Sequence, residues 1–546
     1  MDGERSRVLR GTRMEQTMSA ATGWSGSIRD ALDHPLSRLR MGYAAWLFGV
    51  FCYFLPAATW NPVSRFDLTR AIVEQGTLSI DAFADNTGDR ARRGEHWYTD
   101  KAPLASLIAL PAYQAFHWLD RARGKSPSYQ AYASEGHPAQ RVTVNRSFQR
   151  SLYVCSLASA GLAGVAVGLG LFELLRRRMS PAAALAGSAA TVLATPIFPY
   201  ATSFYGHAVA AAFLVVALAL LDGSGAVEGN LAHSPAGQAT PRRFWISAAG
   251  ACLAASVGSE YLSAVPATVL LLAFLGAVLR ASIVARGARA SFRWCWSEIL
   301  LPLALGALGP VLIIAGYHWA CFGAPWRTGY SFVVDPKFAA GHATGFLGIR
   351  LPRAEALWGL TFGRLRGLFY ISPLALALTV GLAVRAWKRD WAAWAAASAS
   401  LALLLVNASY YMWWGGAASA PRHLVPVLGL LALGVPWLWQ RRWLRYLCLG
   451  LGLVAVINMI GIAAVGLEAP EHGDVLRDFV YARLLEGKVS ALSGASNLGI
   501  EFGLVRGGTL GPLLVWLLVG ASVLHRQVGE LLPASSAGAG TAPPLT

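Results

Sequence analysis

The sequence is short of charge and lacks the usual signatures of a soluble enzyme. Only 14% of its 546 residues are charged, whereas a soluble domain contains about a quarter. No GxxxxGK[ST] loop occurs, and no strand-like run is followed by GxGxxG, which argues against a cytoplasmic enzyme that uses a nucleotide sugar. The six cysteines stand singly, with no CxxC and no metal-ligand spacing. Neither a disulfide framework nor a zinc site is therefore expected.

Hydrophobic residues take the place of the missing charge. They make up 55% of the chain, and the mean hydropathy is +0.45, values that predict an all-α, polytopic transmembrane helical bundle. The net charge of +17 would suggest nucleic acid as the partner of a soluble domain, but here the basic residues cluster at the ends of apolar runs. We therefore expect membrane lipid, and no nucleic acid, among the partners.

About twelve stretches are apolar over the roughly 17 to 25 residues that cross a bilayer. They lie approximately at 41–59, 150–175, 180–199, 204–222, 244–260, 262–280, 297–320, 366–385, 391–411, 423–439, 444–466 and 509–526. The predicted domains are a cytoplasmic tail at 1–40, a transmembrane catalytic domain at 41–530 and a disordered tail at 531–546. The first forty residues are rich in arginine but lack the apolar core and cleavage site of a signal peptide.

Basic residues are concentrated in the loops on one side of these spans. That side carries Arg176, Arg177, Arg178, Arg242, Arg243, Arg280, Arg286, Arg289, Arg293, Arg385, Lys388, Arg389, Arg441, Arg442 and Arg445. The short loops on the other side, at 200–203, 260–262 and 412–422, contain one basic residue, Arg422. The positive-inside rule then places the arginine-rich side in the cytoplasm.

The segment 101–119 is apolar enough to suggest a further span. If it crossed the membrane, every later loop would change sides, and the arginine-rich loops would lie outside the cell. We therefore interpret the segment as an interfacial or re-entrant helix. The first extracytoplasmic loop then covers 60–149, and two further large loops, at 321–365 and 466–508, lie on the same side. The second loop is rich in glycine and could close over a substrate as a lid.

The first loop contains most of the candidate chemistry. The segment 64–75 fits a helix ended by Gly76, with Asp67 on its polar face, and predicts an amphipathic helix at the membrane surface. Because Ser64 and Asp67 also match a capping box, Asp67 could instead satisfy a backbone N–H. Asp81 follows in extended or irregular chain, where carboxylates often only form turns.

Further along the same loop, Asp89, Asp100 and Lys101 precede a helix that Pro103 helps to begin. Lys101 and the free N–H groups of that helix could bind an anion such as a phosphate, or Asp100 could simply offset the lysine's charge. With Asp67 and Asp81, the loop holds four carboxylates against the bilayer. The residues alone leave open which of them is a functional acid.

Other polar residues stand at the outer ends of later spans. They are His207, Glu260, His318 and Arg422. A lone polar residue at a helix end often serves as an interfacial anchor, but ionisable groups at membrane level are costly to bury and suggest function. The aromatic run that includes Trp414 forms either an interfacial belt or a wall for a sugar.

One part of the first loop matches a known pattern. Arg65 and Phe66, then Ile72, then GTL at 76–78 and YTDKAPL at 98–104 correspond in order to a loop of the form RYxxIxxxMxxxGDW followed by YxEKPPL. The chain thus resembles the C-type (GT-C) superfamily of polyprenyl-phosphate-dependent integral membrane glycosyltransferases, in particular the bacterial aminoarabinose and mannosyl transferase group. It departs from that group in lacking the acidic pair before the Arg-aromatic dipeptide.

The resemblance implies a reaction. A carboxylate deprotonates an acceptor hydroxyl, which attacks the anomeric carbon of a sugar on polyprenyl phosphate with inversion, while cations stabilise the departing phosphate. The resemblance implies Asp67 as the base and Lys101, Arg422 and His207 as the groups that stabilise the phosphate. Asp81 is the second candidate for a catalytic acid, and the other residues expected to bind substrate are Arg65, Asp89, Asp100, Glu260 and Trp414. The implied acceptor is a cell-envelope glycan, lipid or protein at the outer face of a bacterial inner membrane. A divalent metal is possible, although no protein ligands for it are predicted.

Two other functions fit the composition. A transporter or flippase of a lipid-linked glycan would place charges along a route, near mid-membrane and in paired halves. A non-catalytic assembly subunit would need no converging site. The discriminating feature is whether the candidate residues meet in one cavity.

Overall fold

The computed structural model describes residues 34–125, 130–131, 144–227, 242–487 and 495–531. Within these residues the chain is almost wholly helical, which confirms the predicted all-α class. The described strands form two short antiparallel pairs, β1 (Phe54–Leu55) with β4 (Ser496–Asn497) and β2 (Arg90–Arg93) with β3 (His96–Thr99). Most of the predicted tail at 1–40, and nearly all of the tail at 531–546, lies outside the described residues.

The helices follow one another along the chain with short connections over most of its length. They are α1 Pro35–Cys52, α2 Trp60–Arg70, α3 Leu104–Ala122, α4 Arg146–Arg176, α5 Pro181–Leu193, α6 Ile197–Ala201, α7 Gly206–Gly223, α8 Arg243–Ser259, α9 Tyr261–Arg286, α10 Ala288–Phe322, α11 Pro336–His342, α12 Ala354–Thr361, α13 Leu368–Ile371, α14 Pro373–Trp387, α15 Trp391–Ser409, α16 Arg422–Leu438, α17 Arg442–Val465, α18 Ala482–Leu485, α19 Leu498–Glu501 and α20 Gly511–Gly529. The longer connections, around 76–103 and 323–353, contain short 3-10 turns at Asp81–Asn86 and Gly329–Phe332.

Every one of the twelve predicted spans overlaps a helix. These helices are α1, α4, α5, α7, α8, α9, α10, α14, α15, α16, α17 and α20. Seven of them are long and apolar enough to cross a membrane, namely α4, α7, α9, α10, α15, α17 and α20. Helices α5, α14 and α16 are apolar but shorter. The chain is therefore a multi-pass helical membrane protein.

The sequence explains how the spans begin and how closely they pack. Pro181 and Pro373 stand in the first turns of α5 and α14, where a proline has no hydrogen bond to lose. Helix α8 packs against α7 and α10. At the contact with α10, a side chain on Gly250 or Gly306 would collide with the facing backbone, so that glycine permits the close approach of helices seen in membrane bundles.

Helix α2 corrects two predictions made from the first loop. It begins at Trp60, four residues before the predicted start, so that Ser64 lies inside the helix and the capping-box interpretation of Asp67 is wrong. Every residue from Asn61 to Ala71 is buried, and the predicted amphipathic helix with one exposed face is therefore also wrong. The predicted end is confirmed, since Gly76 adopts a φ of 67° after a final π turn, a conformation that glycine tolerates best.

Helix α3 has one buried stripe, formed by Ala105, Ala109 and Tyr113. Its far end is exposed, with 68% of Trp118 accessible. Among the described helices, α3 is not one of the seven that are long and apolar enough to span a membrane. Its interfacial position remains a prediction.

The chain divides into two compact units. The first consists of the described parts of Met1–Trp46 and Val515–Thr546, and the second is Leu47–Leu514. In the first unit, the indole N–H of Trp516 donates to the carbonyl of Trp46 at 2.9 Å. The second unit contains all the candidate residues discussed below.

Candidate active site

A cavity of about 60 Å³ lies where the first loop meets the ends of four long helices. Three parts of the chain remote from one another line it, together with His207 at the start of α7 and Glu260 after α8. The full lining is Asn61, Asp89, Asp100, Lys101, His207, Glu260, Tyr330, Phe338, His342, Tyr410, Tyr411, Met412, Arg422 and His423. Of the eight residues predicted to bind substrate, six line this one cavity.

Lys101 is held between two carboxylates. Its Nζ lies 3.0 Å from Asp89 Oδ2 and 3.0 Å from Asp100 Oδ2, and all three side chains are largely buried. The other oxygen of Asp100, Oδ1, is buried and has no hydrogen-bond partner. Burial raises the pKa of Asp100, because the favourable charge of Lys101 only partly offsets the desolvation of the carboxylate.

Hydrogen bonds to α2 fix the position of this triad. Ser64 Oγ donates to the carbonyl of Asp89 at 2.6 Å and lies 2.6 Å from Thr99 Oγ1. Thr99 Oγ1 also accepts from the N–H of Lys101 at 3.1 Å. The buried serine of α2 therefore ties both ends of the β2–β3 hairpin to the helix and sets where the carboxylates point.

Glu260 and His207, two further residues of the lining, form a second polar group with Arg65. Arg65 Nη2 donates to Glu260 Oε2 at 3.1 Å, and Arg65 Nη1 donates to Asn61 Oδ1 at 2.9 Å. His207 Nδ1 is 3.2 Å from the same Glu260 oxygen, but the geometry is not that of a hydrogen bond, and both ring nitrogens lack a partner. Arg65 does not line the cavity itself and instead holds two residues that do.

Arg422 supplies a cation without a counter-ion. Its Nε is buried without a hydrogen-bond partner, and no carboxylate in the described ranges lies within 4.0 Å of its guanidinium. Its neighbour His423 is fixed through Nδ1, which lies 3.0 Å from Asn407 Oδ1. An uncompensated buried guanidinium is costly, and this one faces a cavity in which an anion would pair with it.

The junction that carries Arg422 is held by a buried arginine. Arg366 is fully buried and donates to the carbonyls of Gly416 and Pro470 at 3.0 and 2.9 Å. Gly415 and Gly416 have positive φ angles of 77° and 68°, which allow the chain to turn between α15 and α16. Arg366 thus organises the backbone around the site rather than extending toward lipid headgroups.

Aromatic rings form part of the cavity lining. The His342 ring stacks on Tyr330 with centroids 4.9 Å apart and meets Tyr411 edge-on at 5.3 Å. Tyr330 and His342 belong to the second large loop, and Tyr410 and Tyr411 belong to the junction after α15. The aromatic side chains therefore come from two segments remote in sequence that meet at the cavity, and their rings are suited to contact with the apolar face of a sugar ring.

Besides Arg65, three predicted residues do not line the cavity. Asp67 is fully buried in α2, where the side chain of Asn86 lies within hydrogen-bonding reach of its carboxylate. Burial raises the pKa of Asp67 well above its ordinary value, even though Arg70 lies nearby. Trp414 instead donates its indole N–H to Glu471 Oε2 at 3.1 Å.

Asp81 is the third of these residues, and it lies in an exposed turn. It accepts from the N–H of Trp97 at 2.6 Å and lies 2.7 Å from His96 Nδ1. Although burial raises its pKa, these partners outweigh that effect and the pKa lies below the ordinary value. The turn-forming role that the sequence left open for Asp81 agrees with these contacts.

Sequence reasoning missed several residues of the lining. Asn61, Tyr330, His342 and His423 carry no motif and stand in loops or at helix ends. His318, which the sequence did single out, lies outside the cavity, where its Nε2 is 2.8 Å from the hydroxyl of Tyr261. A polar residue at a helix end was therefore a reasonable candidate, but its position in the sequence did not show whether its side chain reaches the cavity.

The carboxylates of the cavity do not fit a divalent metal as they stand. Asp89 and Asp100 converge on the Nζ of Lys101, which occupies the place that a cation between them would take. No group of three or more histidine, cysteine or acidic residues that could hold a metal ion is found in the described ranges. No step of the chemistry below is assigned to a metal.

Comparisons with known proteins give distant structural neighbours. The crystal structure of ArnT from Cupriavidus metallidurans in the apo state is 15% identical and has a TM-score of 0.45, over 93% of this chain and 76% of that one; with bound undecaprenyl phosphate, the TM-score is 0.43 over the same shares. The archaeal oligosaccharyltransferase AglB from Archaeoglobus fulgidus, in complex with an inhibitory peptide and a dolichol-phosphate, is 15% identical with a TM-score of 0.43, over 79% of this chain and 55% of that one.

At such low identity and TM-score, the likeness to these structures carries no argument about the site. No protein-family model matches the chain, and no curated protein matches it significantly. The site is therefore interpreted from its own geometry.

Proposed function

We propose that the protein is a membrane glycosyltransferase that moves a sugar from a polyprenyl-phosphate donor to an acceptor hydroxyl. The observation that carries the proposal is one cavity lined both by Arg422, which has no ion-pair partner in the described ranges, and by Lys101 with its two carboxylates. Such a cavity offers a site for an anionic leaving group beside a base. The polyprenyl phosphate follows from the resemblance of the first loop.

Asp100 is the base that this geometry supports best. One of its oxygens is bound by Lys101 and the other is free, so that the free oxygen can accept the proton of an acceptor hydroxyl. Its raised pKa makes it a stronger base than an ordinary aspartate. Asp67 and Asp81 remain sequence predictions for this role, but neither reaches the cavity.

The remaining charges have complementary tasks. As the acceptor oxygen bonds to the anomeric carbon, the bond from that carbon to the phosphate oxygen breaks, and the phosphate leaves with the electron pair. Arg422 stabilises the charge on the departing phosphate, and His207 can donate a hydrogen bond to it. A single displacement of this kind inverts the anomeric configuration.

The two aromatic loops supply the cover. Tyr330, His342 and Tyr411 can hold the sugar beside the charged residues and exclude water, which would otherwise compete with the acceptor. The grouping of these residues at one end of the helices favours an enzyme working at one membrane surface over a transporter with a mid-membrane site. By the charge distribution of the loops, that surface is the extracytoplasmic one, facing the periplasm or the exterior.

The test is sugar transfer in liposomes. Purified full-length protein is reconstituted with lipid-linked sugars and with a cell-envelope extract that supplies the acceptor, both from bacterial membranes, and mass spectrometry measures donor consumption, free polyprenyl phosphate and glycosylated product. The proposal expects all three changes with the wild type and none with Asp100→Asn. Movement of intact donor between leaflets without cleavage would instead identify a flippase, and binding without either outcome would identify a non-catalytic subunit.

A further inference from the structure

A second charged cavity lies at the other end of the bundle from the candidate active site. It measures about 560 Å³, and its lining includes Arg178, Arg385, Lys388, Asp390, Trp439 and Arg445. Helices α14 and α15 are joined at this end, and α15 runs from here to the junction that carries Tyr410. The two cavities are therefore separated by the length of a membrane helix.

Two carboxylates hold the arginines of this cavity in place. Arg178 Nη1 donates to Asp222 Oδ2 at 2.8 Å, and Arg177 Nη1 donates to the same oxygen at 3.0 Å. Arg385 pairs with Asp390, whose Oδ2 is also 3.7 Å from Arg178 Nε. The network is rigid, since each carboxylate bridges two basic groups, and it already contains more arginines than carboxylates.

Two further cations face the cavity without a counter-ion. Neither Lys388 nor Arg445 forms an ion pair with any carboxylate in the described part of the chain. Arg445 is nevertheless oriented, because its guanidinium lies 5.6 Å from the centroid of the Trp439 ring and its Nε donates to the Trp439 carbonyl at 2.5 Å. The cavity thus has a fixed surplus of positive charge.

The surroundings indicate what would balance that charge. The cavity lies at the ends of membrane helices, where tryptophans such as Trp439 are typical of the headgroup level, and basic pockets between such helices bind phospholipid headgroups. We propose that this cavity binds the phosphate of an anionic glycerophospholipid of the cytoplasmic leaflet. The proposal does not depend on the function proposed for the other cavity.

The test compares two charge-matched double variants of the full-length protein. Lys388→Gln with Arg445→Gln removes the unpaired cations, and Arg441→Gln with Arg442→Gln removes two exposed arginines that do not line the cavity. Native mass spectrometry measures retention of phosphatidylglycerol against phosphatidylcholine. We expect the wild type and the Arg441/Arg442 control to prefer phosphatidylglycerol, and the Lys388/Arg445 variant to bind it roughly tenfold more weakly.

Equal retention of the two lipids by the wild type, or equal losses in both variants, would overturn the proposal. Lys388→Gln alone serves if the double variant does not fold, because Lys388 is exposed and its side chain forms no hydrogen bond or ion pair with the described residues. Thermal unfolding distinguishes the binding of a lipid from the binding of a soluble anion. Phosphatidylglycerol should raise the Tm of the wild type and control only, and an equal rise with inorganic phosphate would contradict binding of a lipid.

Discussion

At the scale of single residues, Asp67 and Asp100 show how packing separates two carboxylates of one loop. Both are almost fully buried, and burial raises the pKa of both. Asp100 nevertheless contacts Lys101 and lines the cavity, whereas Asp67 lies inside α2 with no route to an acceptor. A base must reach the proton that it removes, and this requirement separates the two residues more clearly than their pKa values do.

Substitution of these two aspartates should affect the rate of sugar transfer very differently. Asp100→Asn is expected to lower the rate of sugar transfer on the order of 100-fold or more, because it removes the proton acceptor. Asp67→Asn should leave transfer within a few fold of wild type and leave the Tm unchanged or raised, since burial already disfavours the charged form. Initial rates and thermal unfolding of both variants check this. Loss of transfer only in the Asp67 variant would restore the original assignment.

A third carboxylate, that of Glu468, should make the free energy of unfolding depend on pH. Burial raises the pKa of Glu468 to about 7, so that the folded protein keeps a proton that the unfolded chain loses near the ordinary value of 4.5. The stability from this group is fully present below that value and is lost as the pH rises through about 7, with a range on the order of 3 kcal/mol.

The matching measurement is thermal unfolding between about pH 5 and about pH 8. Glu468→Gln should flatten the decline in Tm with rising pH, whereas Glu471→Gln, which changes an exposed carboxylate nearby, should follow the wild type. Parallel curves for wild type and Glu468→Gln would contradict a titrating Glu468.

The sequence identified the charged part of the site better than the rest of it. Lys101, His207, Glu260 and Arg422 stand out as polar residues beside apolar runs, and all four line the cavity. Asp67 was misleading because periodicity suggested an exposed face, whereas tertiary packing covers α2 on both sides. No local pattern reports such burial.

At the scale of elements, the second large loop is the part that completes the cavity. Gly329 in this loop lies against the backbone of Asp100, so closely that a Cβ would be 2.6 Å from the Asp100 Cα. Tyr330 follows directly and stacks on His342 of α11. The second loop therefore packs directly against Asp100, the residue that we propose as the base.

Adding a methyl group at this contact should disturb the site without disturbing the helices. Gly329→Ala is expected to lower transfer by about tenfold or more, because backbone atoms cannot move aside as a side chain can. Gly276→Ala in α9 is the matched control, since its Cβ would meet nothing within 4 Å. Transfer rates and the Km for the donor check the prediction. Equal activity of the two variants would mean that the contact between Gly329 and Asp100 does not position the site.

Hydropathy predicted the helices well and the loops poorly. Each predicted span overlaps a helix because a bilayer demands one apolar run per crossing. The limits of α2 and the folding of residues 321–365 over the first loop depend on contacts remote in sequence. Glycine content suggested that this loop could move, but did not indicate that Tyr330 and His342 would line the cavity.

At the scale of the whole molecule, charge is divided between the two ends of the helices. One end holds the candidate active site, where cations and carboxylates are nearly balanced, and the other holds most of the basic loop residues. This asymmetry underlies the proposed orientation.

Cysteine labelling tests that orientation. In a chain whose six native cysteines are replaced, Ser331→Cys in the second loop should react with a membrane-impermeant maleimide added to intact spheroplasts. Arg442→Cys, at the opposite helix ends, should react only after permeabilisation. The reverse pattern would place the cavity in the cytoplasm and contradict the proposed extracytoplasmic reaction.

Binding of undecaprenyl phosphate to the purified protein measures whether the cavity receives the phosphate of a lipid-linked sugar. Arg422→Gln removes the unpaired cation, and Arg364→Gln removes an exposed arginine at the same end that does not line the cavity. We expect Arg422→Gln to weaken binding by about tenfold or more and Arg364→Gln to bind like the wild type. Wild-type affinity in the Arg422 variant would contradict the proposed phosphate site.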